Sequence, residues 1–305
     1  GPHVAGHLNT VVDLQTCYLR SETSVDIFYL CREFARKQQL SVFSSITEQG
    51  LLRHVVVREG KHTGDLMVNI VTSGEYFPQM DRFVRYLIVG RPDITSIMLT
   101  INRRKGQSSQ GQEEHLIFGD ATINDTLNGI TFEYSAQSFF QTNTLQAEQL
   151  YRIVQRMAID DRQHSSSMAV DLYCGTGAIA FHLAPHFQKV YGVELVEDAV
   201  ENARRNAERN KITNVEFHCG EVQKLVPEVL PEAPDLIVVD PPRAGVAPKV
   251  LRHLIRIAPP QIVYVSCNPA TLARDVEQLT QSGYKVAEVQ PVDMFPHTYH
   301  IETVV

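Results

Sequence analysis

The sequence predicts an α/β protein: a doubly wound, mostly parallel sheet within residues 135–305, preceded by a separate α+β domain over residues 1–134. Three observations carry this. From Met168 onward, short apolar runs at 168–173, 189–194, 214–219, 235–240 and 261–266 alternate with stretches of helical spacing, the pattern of parallel strands joined by crossover helices. Two further runs, 284–289 and 299–305, are separated only by 290-QPVDMFPHT-298, too short for a crossover, so the sheet should end antiparallel. Before residue 134 helix and strand signals are mixed, without that regular alternation.

In the front domain, 25–40 has helical apolar spacing at Ile27, Leu30, Cys31 and Phe34. The runs 51–60 and 65–74 are β-rich and joined by a turn-like linker; a second helix (77–90) and strands at 95–102, 114–118 and 130–134 follow. Together they predict two strand pairs and two helices. The stretch 105–115 is polar and reads as a loop, as does 160–167. Between them a helix starts near Asn143, capped by Asn143 with Gln146 three residues on, and its stripe is Leu150, Ile153, Val154 and Met157.

Composition narrows the class. The chain has 305 residues, 43% of them hydrophobic and 21% charged, a length that allows two domains. No apolar run reaches the ~18 residues of a transmembrane helix, and the start shows no charged-then-apolar leader. Five scattered cysteines, at 17, 31, 174, 219 and 267, form no CxxC pair and argue for a reducing cytoplasmic setting without disulfides. The net charge is −7, with 13 basic against 15 acidic residues up to 134 and 15 against 20 beyond it. That balance argues against a general polyanion binder. It leaves 102-NRRKG-106 as a local basic contact, against the plainer reading of a solvated hairpin tip.

Four motifs carry chemistry. In 170-VDLYCGTGAIAFHLA-184, Gly175 and Gly177 follow a strand and open a helix, where missing side chains let a ligand approach the backbone. Asp171 precedes the turn, and Glu194 ends the next strand, where a carboxylate can accept from ribose hydroxyls. A nicotinamide site shares the second acid but seldom needs the first; a tight turn without ligand is the bland alternative. In 235-DLIVVDPPRAGV-246, a strand delivers Asp240 to its end and two prolines stiffen the chain beyond it. Methyltransferases that use S-adenosylmethionine present an acid and Pro-Pro in this way to a planar substrate. Arg243 stands where amino-group enzymes carry an aromatic and cytosine-C5 enzymes a cysteine.

The third motif, 262-IVYVSCNPATLARDVEQL-279, places Cys267 at a strand end, and Pro269 suits the first turn of the helix beyond. The positive end of that helix should favour a thiolate. In the fourth, 291-PVDMFPHTYHIETVV-305, Glu302 interrupts an apolar terminal strand, either as a satisfied oddity or as a base raised by burial.

Taken together, 138-SFFQTN-143, 171-DLYCGTG-177, 192-GVE-194, 240-DPPRAG-245, 266-SCNPATLARD-275 and 295-FPHTYHIE-302 resemble the uridine-C5 RNA methyltransferases that act on 23S rRNA or tRNA. The match covers essentially all of 136–305, in order. The resemblance implies the S-adenosylmethionine-dependent, Rossmann-like sheet with an antiparallel last strand. It implies Cys267 as nucleophile and Glu302 as general base. Gln141, Tyr173, Glu194 and Asp240 would line the S-adenosylmethionine and uracil pocket beside Gly175 and Gly177, with Glu221 near the adenine. Gln141, Asp240 and Arg243 would orient the uracil.

The chemistry explains these residue types. C5 of uracil becomes nucleophilic once a thiolate adds at C6, and a base must then remove the C5 proton so that the thiol can leave. The uracil must also leave its stack or come from a loop.

The front departs from the family pattern. Many relatives carry an N-terminal β-barrel and three further cysteines for a [4Fe–4S] cluster, whereas only Cys17, in 10-TVVDLQTCYL-19, matches a ligand here. The chain is then a truncated form or a variant without the cluster; we expect no metal, and weaker RNA binding if a barrel is missing. The expected partner is RNA, 23S rRNA before tRNA, with a monomer and no membrane. A cytosine-C5 enzyme, an RNA-folding module of the same fold and a nicotinamide oxidoreductase are the competing readings.

Overall fold

The computed structural model describes residues 4, 11–13, 15–74, 77–106, 108–159, 168–229 and 234–305. Contacts divide the chain into two units: residues 1–125 with 135–137, and residues 126–134 with 138–305. Residues 126–134, placed by sequence in the front domain, therefore group with the second unit.

In the first unit, Ser21 caps α1 (Glu22–Lys37), its hydroxyl accepting the Ser24 N–H at 3.0 Å, and the helix buries Ile27, Cys31 and Phe34 as its spacing predicts. There follow β1 (Leu52–Glu59), β2 (Leu66–Thr72), α2 (Met80–Gly90), β3 (Ser96–Ile101) and β4 (Glu113–Gly119). They form one four-stranded sheet in the order β1-β2-β3-β4 rather than two strand pairs, because β2 and β3 pair in parallel. Both central strands are buried at every position, and Phe34 of α1 stacks on Phe83 of α2 at 4.6 Å between ring centres. The basic run behaves as a hairpin tip. Arg103 pairs with Glu113 and Lys105 with Glu48, while Arg53 donates to the carbonyls of Asn102 and Arg104 at 2.9 and 2.8 Å.

The strand expected at 130–134 comes next as β6 (Ile130–Ser135), paired in a hairpin with β5 (Thr122–Leu127), which is not expected from sequence. Its turn is Asn128-Gly129, both at positive φ (49° and 86°), as a two-residue turn matched to strand twist requires. Then α3 (Thr144–Ala158) begins as expected, with the Asn143 side chain accepting the Gln146 N–H at 3.3 Å. The polar stretch 160–167 lies outside the described residues.

The second unit holds β7 (Met168–Leu172), α4 (Ala178–Leu183), β8 (Lys189–Glu194), α5 (Glu197–Arg209), β9 (Val215–Cys219), α6 (Val222–Val229), β10 (Leu236–Val239), α7 (Pro248–Ile257), β11 (Gln261–Ser266), α8 (Pro269–Gln281), β12 (Gln290–Val292) and β13 (Glu302–Val304). The seven strands are ordered β12-β13-β11-β10-β7-β8-β9. The five from β7 to β11 pair in parallel; β13 runs antiparallel to β11 and to β12. β10 is apolar and buried at all four positions, as a strand covered on both faces must be.

One strand is placed wrongly by the sequence. Residues 284–289 form no ladder, and pairing falls instead on the three residues 290–292, opposite the short β13. The apolar members of that run, Val286 and Val289, are 47% and 56% exposed, so burial does not hold them in a sheet. The order of strands matters more for function. β7 has β8 on one side and β10 on the other, and at such a switch point a crevice opens beyond the carboxyl ends of the strands.

Candidate active site

Four residues singled out by sequence arrive at that edge from separate strands: Gly175 beyond β7, Glu194 at the end of β8, Asp240 after β10 and Cys267 after β11. The glycine turn is built from below by Asp171, whose Oδ2 accepts the Ala180 N–H of α4 at 2.9 Å. The two glycines do different work. Gly177, at φ 88°, has no room for a side chain, since a Cβ would lie 2.7 Å from the ring of Phe217. Gly175, at φ 54°, has nothing within 4 Å of that position, so open space faces its α-carbon. Glu194 closes the turn from the next strand: Oε2 accepts the Gly175 N–H at 3.1 Å, and Oε1 those of Leu195 and Val196 at 2.8 and 2.9 Å. Oε1 thus accepts two donors already, whereas Oε2 keeps acceptor capacity for a further one.

Strand register brings Cys267 and Glu302 together. The β11–β13 ladder pairs Val265 with Val304 and Ser266 with Thr303. Continued one step beyond the end of β11, the same register puts Cys267 across from Glu302, and the Glu302 charge acts on the thiol. Tyr264 and Val305 exchange both N–H···O bonds, at 2.8 and 2.9 Å. Alternation then makes Cys267–Glu302 a non-hydrogen-bonded pair, the kind in which facing side chains come closest.

The site is acidic and partly desolvated. Burial raises Glu302 above the usual carboxylate range, with Arg243 opposing. Burial, then the Glu302 charge, pushes Asp240 up to about 7. Asp171 is fully buried and held well above its ordinary value, by burial first and then by Asp240 and Glu194; its Oδ1 has no hydrogen-bond partner among the described residues. Cys267 departs from expectation. Helix α8 does start at Pro269, but desolvation, Glu302 and Asp240 together outweigh Arg243 and raise the thiol, so it rests protonated.

The remaining predicted residues divide. Gln141 hydrogen bonds the hydroxyl of Tyr151, a buried residue of α3 that the sequence did not single out and that burial, Asp240, Asp171 and Glu302 keep protonated. Tyr173 sits at φ 66° after β7, its hydroxyl taken up by the Ala247 N–H. Arg243 is exposed and acts on Cys267 and Glu302 through its charge. Glu221, beyond β9, is engaged by Gln223 and by Lys224 at 2.6 Å.

Sequence reasoning missed the frame around the Pro-Pro-Arg loop. Asn268 Nδ2 and Thr271 Oγ1 donate to the Arg243 carbonyl at 3.0 and 3.3 Å, and Arg274 Nη2 to that of Ala244 at 3.1 Å. Asp275 Oδ2 accepts the Val246 N–H and the Tyr264 hydroxyl, both at 2.8 Å. The signal was present in SCNPATLARD, where Asn268, Thr271 and Asp275 recur at one-helix-face spacing.

Comparisons with known proteins agree with this architecture. A family model described as "Methyltransferase domain" matches residues 163–296, and one described as "tRNA (Uracil-5-)-methyltransferase" matches 99–226. The crystal structure of a Pyrococcus abyssi tRNA (uracil-54, C5)-methyltransferase, in complex with S-adenosyl-L-homocysteine, is 35% identical with a TM-score of 0.80, over 97% of this chain and 70% of that one. This chain belongs to the uracil-5-methyltransferase family. Among curated members, an uncharacterized RNA methyltransferase of Halalkalibacterium halodurans is 39% identical over 96% of this chain and 63% of its own length. One of Clostridium tetani is 36% identical over 97% and 64%. The chain thus spans about two-thirds of these family members, and its second unit carries the S-adenosylmethionine-dependent methyltransferase fold. No helix among the described residues is long and apolar enough to cross a membrane.

Proposed function

We propose that this protein methylates C5 of a uridine in RNA, with Cys267 as nucleophile, Glu302 as general base and S-adenosylmethionine as methyl donor. The single observation that supports the reading is the β11–β13 register, which, continued one step past Ser266, brings Cys267 beside Glu302, whose charge acts on the thiol. Addition to C6 and removal of the C5 proton need a sulfur and a base working on one flat ring, and a cross-strand pair supplies both.

The residues present fit the donor. Asp171, Glu194 and Asp240 are three carboxyl groups at neighbouring strand ends, and burial first, then the neighbouring carboxylates, raises Asp171 and Asp240. Such a cluster is relieved by a cationic ligand. The space before Gly175 would admit it, and the acceptor capacity left on Glu194 Oε2 suits a ribose hydroxyl. When bound, S-adenosylmethionine supplies an electrophilic methyl group on a positively charged sulfur.

The chain's own groups move the protons. Attack by Cys267 requires loss of its S–H proton, and Asp240, raised to about 7, is matched to accept it near neutral pH. Glu302, raised but opposed by Arg243, then takes the proton from C5 as the C6–S bond breaks. Gln141, fixed by Tyr151, and Arg243 orient the ring. Glu221 would face the adenine from the end of β9, beside the ribose site at Glu194. Likeness to the P. abyssi tRNA enzyme favours tRNA as substrate, whereas the motif resemblance favours 23S rRNA.

RNA carrying 5-fluorouridine tests the reading, because fluorine cannot leave C5 as a cation. Wild type should form a denaturant-resistant adduct and Cys267→Ala none; an adduct on Cys267→Ala refutes the nucleophile. Glu302→Gln should methylate yet hold its product, and rapid turnover by it refutes the base. Mapping 5-methyluridine in rRNA and tRNA with and without the gene decides the substrate.

A further inference from the structure

We infer that the first two turns of α8 are a positioning device, in which Asn268, Thr271, Arg274 and Asp275 grip the main chain of residues 243–246 so that Arg243 is held facing Cys267. The inference deepens the proposed uridine reading and rests on it.

Four hydrogen bonds make the grip. Two end on the Arg243 carbonyl, the one from Thr271 shared with the Asn268 carbonyl at 3.1 Å, one on the Ala244 carbonyl, and one starts at the Val246 N–H. All leave the Arg243 side chain untouched, so the loop is fixed while the guanidinium stays free to meet a substrate. Gly245 shows how close the approach is, since a Cβ there would lie 2.6 Å from both Arg274 Nη2 and Asp275 Oδ2. The grip and the nucleophile belong to one segment. Helix α8 starts two residues after Cys267, and Asn268, its cap, accepts the Ala270 N–H at 3.1 Å.

Asp275 is the buried anchor, 1% exposed, tied also to Tyr264 of β11 and to Arg274 at 2.7 Å. A buried charge of this kind is seldom the most stabilising choice at its position, which points to a role in setting geometry. The geometry it sets is electrostatic. The charges that act on Cys267 are those of two carboxyl groups, Glu302 on β13 and Asp240 after β10, and of one cation, Arg243. Loosening residues 243–246 removes the only one of these charges that favours the thiolate.

The test is the rate of adduct formation on 5-fluorouridine RNA across pH, measured with S-adenosylmethionine affinity and thermal unfolding. The proteins are wild type, Thr271→Val, Arg274→Ala and Asp275→Asn. Thr271→Val should fold and bind S-adenosylmethionine as wild type does, yet form adduct on the order of tenfold more slowly, with Asp275→Asn slower still. In both, the midpoint of the rate–pH profile should move to higher pH, which a merely structural role does not do. Should Asp275→Asn fail to fold, Thr271→Val and Arg274→Ala decide. Folded variants with unchanged rate and midpoint overturn the inference, as does a slower rate at an unmoved midpoint. No adduct with wild type removes the uridine reading, and this inference with it.

Discussion

Alanine at Gly175 and at Gly177 should separate ligand binding from folding within one turn. At Gly177, φ 88° costs an L-residue roughly 1–2 kcal/mol. The new methyl group would also press on Phe217 at 2.7 Å and Phe181 at 2.9 Å, both core residues, and overpacking adds about 1–3 kcal/mol. The total, about 2–5 kcal/mol, lowers Tm by roughly 4–20 °C for a unit of this size. At Gly175 only the backbone cost applies, since nothing lies within 4 Å, and Tm should fall by just a few degrees. Its methyl group instead enters the space offered to the donor, and a steric cost of ~1–3 kcal/mol weakens binding about 10–100-fold. Calorimetric titration with S-adenosylmethionine and S-adenosylhomocysteine, beside thermal unfolding, reads both effects. Wild-type affinity in Gly175→Ala, or equal destabilisation by the two variants, refutes the division of labour.

Asp240 is raised from its unfolded value of 3.8 to about 7, so its stabilising share is full below pH 3.8 and lost as pH rises through 7. Asp240→Asn should therefore unfold at higher temperature than wild type at pH 8, by on the order of 2–4 kcal/mol, with the gain vanishing near pH 4; an equal gain at both pH values contradicts the shift. Binding of cationic S-adenosylmethionine near pH 7 should release protons from the carboxyl cluster, and neutral-sulfur S-adenosylhomocysteine fewer, as titration in buffers of different ionisation enthalpy will show. Cys31, whose thiol burial pushes up to about 12, and Cys174, also raised by burial and by two carboxylates, should resist a thiol reagent until unfolding, whereas Cys17, Cys219 and Cys267 react in the native protein. Early labelling of Cys31 or Cys174 in a peptide map sinks that ordering.

How far the sequence could be read depended on how local the deciding physics is. The alternation from Met168 on and the short link before β13 were enough for the sheet, its parallel core and its reversed end. Asn143 announced α3 because a cap is satisfied within three residues. The hairpin at Asn128-Gly129 was equally local and was missed; a turn dipeptide there outweighs the polar flank 120-DATIND-125. The run 284–289 failed for the opposite reason: its Val and Tyr suit a strand, but pairing depends on what lies beside it. The Cys267 thiol failed similarly. A helix start is visible in Asn268-Pro269, whereas desolvation and the charges of Asp240 and Glu302 arise only when three strands meet. Tyr151 was invisible as a site residue because one turn of a helix stripe looks like another until the sheet is in place.

The reversed last strand has a further consequence. Because β13 runs back along β11 and pairs with β12, where Glu302 stands opposite Val292, the ladders place Glu302 at the end of the hairpin loop 293–301. Tyr299, 85% exposed, stands on that loop three residues from the base. Substitutions in the loop leave the base where it is, whereas a one-residue slip of the strand turns Glu302 to the opposite face. Under the proposed function, the tip of this hairpin is thus where preference among RNAs can diverge while the reaction is inherited unchanged.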